Sequence, residues 1–213
     1  MNSNFSKLMI LALLAIFTFA SCDKDDDNNS SKWIVKLGAQ SNTTVGAFYS
    51  LSKDTVYNQA DAYDNQAKID LLCFYEHDEA NNRVNDMTLA SPGAKISGIF
   101  TGTTDVMNYT IKNLTTITPT LPSFDDGTAP ANTPTLTVDD FNQIKQGDVI
   151  ISTYFNATLT SSNKKAKMLA VNDIYAFKTQ DGTFGIFKVV EVSTPASAEG
   201  WIKIEIKTYK PTV

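Results

Sequence analysis

"DIYAFKTQDGTFGIFKVVEV" (residues 173–192), followed by "WIKIEIKTY" (residues 201–209), is the part of the sequence that decides the fold. Asp-Gly between two apolar runs is a strong hairpin signal, because Gly182 accepts a positive φ without steric cost. We therefore expect strands over 173–179 and 184–192, joined by a turn at 180–183. The stretch 201–209 alternates between apolar and charged residues, which predicts a third antiparallel strand. Together the three strands make a β-meander.

The alternation also predicts which side chains of the last strand point toward the core. Successive side chains of a strand point to opposite faces, so Ile202, Ile204 and Ile206 should face the core. The residues between them should then face solvent, and these are Lys203, Glu205 and Lys207. Trp201 falls on this same solvent face.

The N-terminal half contains further strand-like runs at 32–37, 44–51 and 55–57. Residues 69–76 ("IDLLCFYE") carry apolar side chains on both faces, which is typical of a central strand covered on both sides. Cys73 lies in this run, and we interpret it as a buried thiol that packs as a small hydrophobe.

Helices are expected to be few and short. Asn58 and Thr137 are good N-caps for brief helices, and Ser91 followed by proline is a plausible helix start. Residues 101–137, which are rich in threonine and proline, should form short edge strands and loops, and 149–155 should form a strand. The expected fold is mainly β: an antiparallel β-sandwich or partly open barrel with a C-terminal β-meander.

The first 31 residues are expected to lie outside this domain. Residues 1–21 combine a short charged start with an apolar run of about 12 residues, too short to span a bilayer, and small residues follow. Cys22 comes next, then an acidic stretch. We expect 1–21 to be a removed signal peptide, 22–31 a lipidated cysteine with an acidic tether, and 32–213 a single β-rich domain.

The order of small residues and Cys22 resembles the lipobox of bacterial lipoproteins, in which the thiol accepts a diacylglyceryl group. The alternative is an ordinary signal peptide with a chance cysteine. Lys24, Asp25 and Asp26 resemble the surface-export signal of Bacteroidota lipoproteins, which implies a lipid anchor in the outer membrane, facing outward. An acidic residue directly after the cysteine can instead signal inner-membrane retention in other bacteria.

The fold-deciding stretch at 173–192 followed by "WIKIEIK", together with "GAFYSL", "VYNQADAYDNQAKIDLLCFY" and "LASP", resembles a group of secreted Bacteroidota lipoproteins. The resemblance covers about a third of the mature chain. It implies a cell-surface β-domain of unknown role and supplies no catalytic residues. The net charge of −5 provides no basic footprint for nucleic-acid binding.

Residues that could carry out catalysis are sparse. His77 is the one histidine in the sequence, so a metal site or a Ser-His-Asp triad would have to use it. We interpret it as part of a polar loop tip, and we expect neither a metal nor another cofactor. A glycosidase needs two facing carboxylates, and the candidates are Asp61, Asp64, Asp125 and Asp126. Each of these acids also fits a cap or a turn.

A saccharide-binding surface would need exposed aromatic rings with polar groups at the rim. Trp201 is the first candidate, with Trp33 and Tyr209, and further rings are available at Tyr109 and Tyr154. The alternative is that Trp201 tucks under a loop or caps the sheet edge. Thr55 matches a short acceptor pattern for O-glycans in exported proteins of this phylum, although an ordinary edge threonine also explains it.

The sequence therefore predicts a lipid-anchored, non-catalytic surface protein that binds or scaffolds, with a polysaccharide as one candidate partner. A structural or adhesive component that binds cell-surface proteins is the alternative from another class, and a carboxylate-based hydrolase is the third. Adhesion predicts a contiguous apolar patch or an open strand edge. Hydrolysis predicts two carboxylates facing each other across a cleft.

Overall fold

The structure is a computed structural model that describes residues 33–120, 134–158 and 163–212, and the backbone of 123–124 and 127–128. Within these ranges the strands are β1 (Trp33–Gly38), β2 (Phe48–Ser50), β3 (Thr55–Tyr57), β4 (Leu71–Asp78), β5 (Arg83–Ala90), β6 (Thr116–Pro119), β7 (Ser123–Phe124), β8 (Gly127–Thr128), β9 (Lys165–Ala166), β10 (Ile174–Lys178), β11 (Phe184–Val192) and β12 (Trp201–Tyr209). Helical segments are short. They are α1 (Gln59–Asp64), α2 (Val138–Gln143) and 3₁₀ turns at Gln66–Lys68, Glu79–Asn81, Val106–Asn108 and Val149–Tyr154.

Two five-stranded antiparallel sheets make up most of the fold, β7 and β8 pair as a separate two-stranded sheet, and no closed barrel is formed by the described strands. Sheet I has the strand order β1-β12-β11-β10-β6, and sheet II has the order β3-β2-β4-β5-β9. The largest apolar cluster takes residues from both sheets, including Leu37, Cys73, Phe187 and Ile204. This arrangement is sandwich-like and confirms the mainly β fold class expected from the sequence.

The β10–β11 hairpin forms as the fold-deciding stretch predicts. Thr179 N–H donates to Thr183 O across the turn, and Gly182 adopts φ +87°, where most side chains would be strained. The ring of Phe177 lies against Gly185 on the neighbouring strand, and a Cβ there would overlap it. This stretch therefore specifies both the turn and the packing of the hairpin.

β4 is the central strand of sheet II and is covered on both faces, as predicted. Leu71 and Cys73 face the cluster between the sheets, whereas Leu72 and Phe74 face a second cluster behind sheet II. Cys73 is fully buried and free, and burial raises the pKa of its thiol. Its predicted role as a small buried hydrophobe is confirmed.

The outer face of sheet II is covered by apolar residues from the loops around it. Phe48 packs against Phe100 with ring centroids 4.9 Å apart, and Val106 is fully buried in the same cluster. We call the cluster of apolar residues on the outer face of sheet II the apolar cover. The helix α1 contributes Ala62 to it.

The outer face of sheet I is also covered, and here the sequence expectation is wrong. Glu205 and Lys207 are each 3% exposed, whereas Lys203 is half-buried. The reason is that α2 and the 3₁₀ turn Val149–Tyr154 pack over this face and carry apolar side chains such as Phe141. In β12, therefore, the alternation of apolar and charged residues does not indicate that the charged side chains are exposed to solvent.

Two local expectations are also wrong. Val149–Tyr154 is a 3₁₀ turn, in which Ile151 is fully buried, Tyr154 is half-buried against the same cluster, and Val149 and Ile150 are exposed. No helix follows Ser91 in the described chain. Its hydroxyl instead donates to Asn113 O and accepts from Thr115 N–H, so it joins two loops.

Candidate functional site

The predicted lipidation and export residues lie outside the described part of the chain, and these are Cys22, Lys24, Asp25 and Asp26. Asp125 and Asp126 also lie outside it. The lipid anchor, the surface address and the possible catalytic role of these two acids therefore stay predictions.

The three aromatic candidates do not come together. Trp33 pairs with Ile206, whereas Trp201 pairs with Gly38 at the other end of the same ladder. Tyr209 lies eight residues from Trp201 along β12, a span of about 27 Å at the usual rise of a strand. No shared stacking surface is formed by these three rings.

Trp201 is half-buried and already has cationic neighbours. Lys36 Nζ lies 3.9 Å from the ring centroid and Lys203 Nζ lies 5.3 Å from it. Such cation–π contacts hold a ring in place, and a sugar stacking there would compete with them. Ligand binding by Trp201 stays a prediction.

Four of the remaining predicted groups are held by local packing or by a local hydrogen bond. Tyr109 is only 5% exposed inside the apolar cover, and Tyr154 is half-buried beside α2. Thr55 lies on edge strand β3, where its hydroxyl donates to Lys53 O. Asp61 follows the cap of α1, where its backbone N–H donates to Asn58 Oδ1.

His77 lies at the end of β4 among acids. Its Nδ1 is 2.7 Å from Asp86 Oδ1 and its Nε2 is 3.4 Å from Glu79 Oε1. The hydrogen bond to Asp86 raises the pKa of His77 most. Among the residues that the structure describes, no group of three His, Cys, Asp or Glu side chains is arranged to hold a metal.

Exposed large apolar side chains are distributed over several segments of the described chain. They come from β1, the loop after β5, the 3₁₀ turn and the loop before β10: Ile34, Met107, Ile111, Leu114, Val149, Ile150, Met168 and Val171. β1 is also an outer strand of sheet I. These are features that adhesion would use.

A cleft of about 510 Å³ opens where loops of both sheets meet. Sheet I contributes the β10–β11 turn and the end of β12, and sheet II contributes the turn after β2 and the residues preceding β4. The volume lies in the range of about 300–1,000 Å³ that is common for small-molecule sites. The lining is Leu51, Ser52, Ala67, Lys68, Asp70, Asn113, Gln180, Asp181, Thr183, Thr208 and Lys210, nearly all polar and without an aromatic ring.

Asp70 is the most deeply placed acid in this lining. Its Oδ2 accepts a hydrogen bond of 2.9 Å from Leu51 N–H, and no residue in the described ranges donates to its Oδ1. Burial raises the pKa of Asp70 to about 6, the hydrogen bond from Leu51 opposes this, and the charge of Asp181 adds to it. Asp70 is therefore ionised at neutral pH and protonated in mild acid.

Asn113 and Gln180 are anchored in the same manner. Asn113 Nδ2 donates to Ala67 O and Ile69 O at 3.0 and 2.9 Å, which leaves its Oδ1 without a described partner. Gln180 Oε1 accepts from Leu114 N–H at 2.9 Å, which leaves its Nε2 in the same condition. Each side chain is thus fixed by one polar atom and has a second one available.

Two lysines supply the positive charge of the cleft. Lys210 Nζ is 2.7 Å from Asp181 Oδ2, and Lys68 Nζ donates to Asn65 Oδ1 at 2.8 Å. Although burial opposes it, hydrogen bonds from Lys210, Thr179 and Thr183 hold the pKa of Asp181 well below its usual range. Asp181 is therefore an ionised, fully engaged carboxylate.

Sequence reasoning did not find this cleft. The sequence predicts Gln180 and Asp181 only as turn residues, and Asn113 lies in a region without periodicity. The one available signal was Asp70, a carboxylate within an apolar run that was correctly predicted to be buried on both faces. An ionisable group in such a run is unusual and often functional.

The fold and this site together define a sandwich-like, two-sheet β protein with a polar cleft between loops of the two sheets. No family model, curated protein or solved structure matches the chain. Among the helices of the described residues, none has the length and apolarity needed to cross a membrane.

Proposed function

We propose that this protein is a lipid-anchored, non-catalytic binding protein of the cell surface, and that its cleft holds a hydroxyl-rich ligand such as a glycan. One observation carries the proposal. Asp70, Asn113 and Gln180 are each fixed to the backbone by one polar atom and keep a second polar atom available at the same cleft.

This arrangement suits hydroxyl groups, which both donate and accept hydrogen bonds. Asp70 and Asn113 offer acceptors, and Gln180 and Lys68 offer donors. Because the backbone already orients three of the four, little side-chain freedom is lost on binding. Within the ranges that the structure describes, no cationic side chain is bonded to the Asp70 carboxylate, which favours a binding role over a stabilising one.

The proposed location at the cell surface is inferred from the N-terminal residues. Two or more acyl chains on Cys22 would anchor the protein stably, and Lys24, Asp25 and Asp26 match the export pattern. We expect the substitution Cys22→Ser to release the protein from membranes into the soluble fraction. Persistence of the Cys22→Ser variant in membranes at the wild-type level would contradict the lipid anchor.

The binding proposal is tested by retention of the purified protein on immobilised polysaccharides, compared for three variants. Gln180→Ala removes a donor from the cleft, and we expect about a tenfold loss of affinity, which corresponds to a hydrogen bond that contributes about 1.4 kcal/mol. Gln143→Ala, an exposed glutamine on α2, is the matched control and should bind as wild type does.

Trp201→Ala separates the cleft from the aromatic alternative. If Trp201→Ala loses retention while Gln180→Ala keeps it, the ligand lies on β12 and the cleft is not the site. If no polysaccharide in the panel is retained by the wild-type protein, the glycan proposal fails.

Hydrolysis is a second candidate because two carboxylates with opposite pKa shifts line one cleft. Asp70, with its raised pKa, would be the acid, and the ionised Asp181 would be its partner. Release of new reducing ends by wild type, abolished in both Asp70→Asn and Asp181→Asn, would favour it. Retention of intact polysaccharide favours binding instead.

A further inference from the structure

The cleft does not end at its own rim. A second groove of about 230 Å³ lies beside it, and Ala67 and Lys68 line both. We call this second space the side groove. Separate ligand sites usually have volumes of about 300 Å³ or more, and the side groove is smaller than that. Because it shares a wall with the cleft, the side groove is a continuation of the cleft.

The side groove repeats the anchored arrangement of the cleft. Gln66 Oε1 accepts from Thr110 N–H at 2.7 Å and from Ile111 N–H at 3.1 Å. Its Nε2 has no partner among the residues described, so it is a second oriented amide donor. Gln66 in the side groove and Gln180 in the cleft are thus held in the same way. In each, backbone N–H donation fixes the side-chain amide oxygen and leaves the amide nitrogen available to a ligand.

The side groove also has an aromatic ring, which the cleft lacks. Tyr63 lines it, half-buried, and its ring meets the ring of Tyr109 edge-on at 5.9 Å. A ring held in this manner is a rigid apolar surface next to polar donors. Pyranose rings are bound by this combination, because their C–H face is apolar and their rim is polar.

We propose that the ligand is an oligosaccharide that crosses Lys68, with one unit hydrogen-bonded in the cleft and a following unit against Tyr63 in the side groove. This inference rests on the proposed glycan binding and adds a minimum ligand length to it. Lys68 lies at the crossing, where its ammonium, bonded to Asn65, can still donate to a hydroxyl or ring oxygen of the chain.

The test uses the whole mature protein and matched saccharides of one and six units, namely glucose with maltohexaose and xylose with xylohexaose, measured by calorimetry. We expect the six-unit form of the series that binds to bind at least tenfold tighter than the single sugar. Gln66→Ala should reduce hexasaccharide affinity about tenfold and leave the single sugar unchanged, whereas Gln180→Ala should weaken both.

Amide chemical shifts give a second measurement that needs no substitution. The hexasaccharide should shift the amides of Thr110 and Ile111, which the single sugar should leave in place. Equal affinity for one and six units, or a Gln66→Ala variant that binds the hexasaccharide as wild type does, overturns the length inference while glycan binding stands. If no saccharide of either series or of the polysaccharide panel binds, both proposals fall.

Discussion

The two sheets are covered on their outer faces by different chemistry. Sheet II carries the apolar cover, in which Phe48, Phe74 and Phe100 are buried together. Sheet I has a charged cluster beneath α2, where Glu205 lies 3.2 Å from Lys188 and 3.8 Å from Lys207. The apolar cover and the charged cluster both bury the outer face of a sheet. Only the residues of the apolar cover can be recognised from the sequence as core residues.

The charged cluster has specific partners for each of its groups. Lys207 Nζ donates to Phe141 O and to Ile144 O near the C-terminal end of α2, where helix carbonyls lack intrahelical partners. Both lysines also lie over the Phe141 ring, with Nζ to centroid distances of 4.8 Å for Lys188 and 4.4 Å for Lys207. The charges therefore attach the helix to the sheet, which apolar contacts do on the other side.

Phe74→Ala should have the largest effect, because it removes a fully buried ring from the apolar cover. We expect a loss of about 4 kcal/mol in the free energy of unfolding, within the usual range for such truncations. Urea unfolding would measure it as a lower midpoint at an unchanged m-value. A loss below about 1.5 kcal/mol would mean that the cover packs loosely on sheet II.

Glu205→Gln should come next, with a loss of about 3 kcal/mol, since it keeps the volume but removes the buried carboxylate charge that lies between Lys188 and Lys207. Glu191→Gln is the matched control, because Glu191 pairs with Lys203 at 2.6 Å but the two side chains are 49% and 36% exposed, far more than those of the charged cluster. We expect under about 1 kcal/mol for this surface pair. Equal losses of unfolding free energy in the two variants would show that the buried charged cluster stabilises the fold no more than the surface pair does.

Asp70→Asn should have the smallest effect and the opposite sign. The raised pKa means that the folded protein holds a proton more tightly than the unfolded chain does between about pH 4 and 6, so wild-type stability falls as pH rises through that window. Asn cannot ionise, so the variant should be more stable than wild type above pH 6, by about 1–3 kcal/mol. Thermal unfolding at pH 4 and pH 7.5 measures the difference. A variant less stable than wild type at pH 7.5 would show that the ionised Asp70 stabilises the fold, unlike the interpretation above.

Much of the fold could be predicted from short-range patterns. The Asp-Gly turn, the alternating β12 and the two-faced run around Cys73 all encode their structure locally. The packing of α2 over sheet I could not be predicted, because the contacting residues of α2 and β12 are more than 60 positions apart in the sequence. The sequence of β12 itself contains no sign of that contact. The 3₁₀ turn at Val149–Tyr154 was missed for a related reason: its apolar residues fit a strand equally well until their burial is known.

The candidate site was less predictable than the fold. Its side chains come from five separated segments, and their roles arise from backbone partners such as Leu114 N–H for Gln180 and Leu51 N–H for Asp70. Single-sequence reasoning sees residue types and spacing, so it favoured the large aromatic rings instead. The anchoring bonds become visible only once distant loops are placed side by side.

The pairing of β1 with β12 has a consequence for how the molecule would stand on a membrane. Trp33 is opposite Ile206, and Thr208 of the cleft follows only two residues later, about 7 Å along the strand. The proposed tether of ten residues would span about 17 Å on average and about 35 Å at full stretch. With the proposed anchor, the mouth of the cleft would thus lie at the end of the domain from which the tether runs to the bilayer. It would meet glycans rooted in the same leaflet sooner than polymers arriving from the surrounding medium.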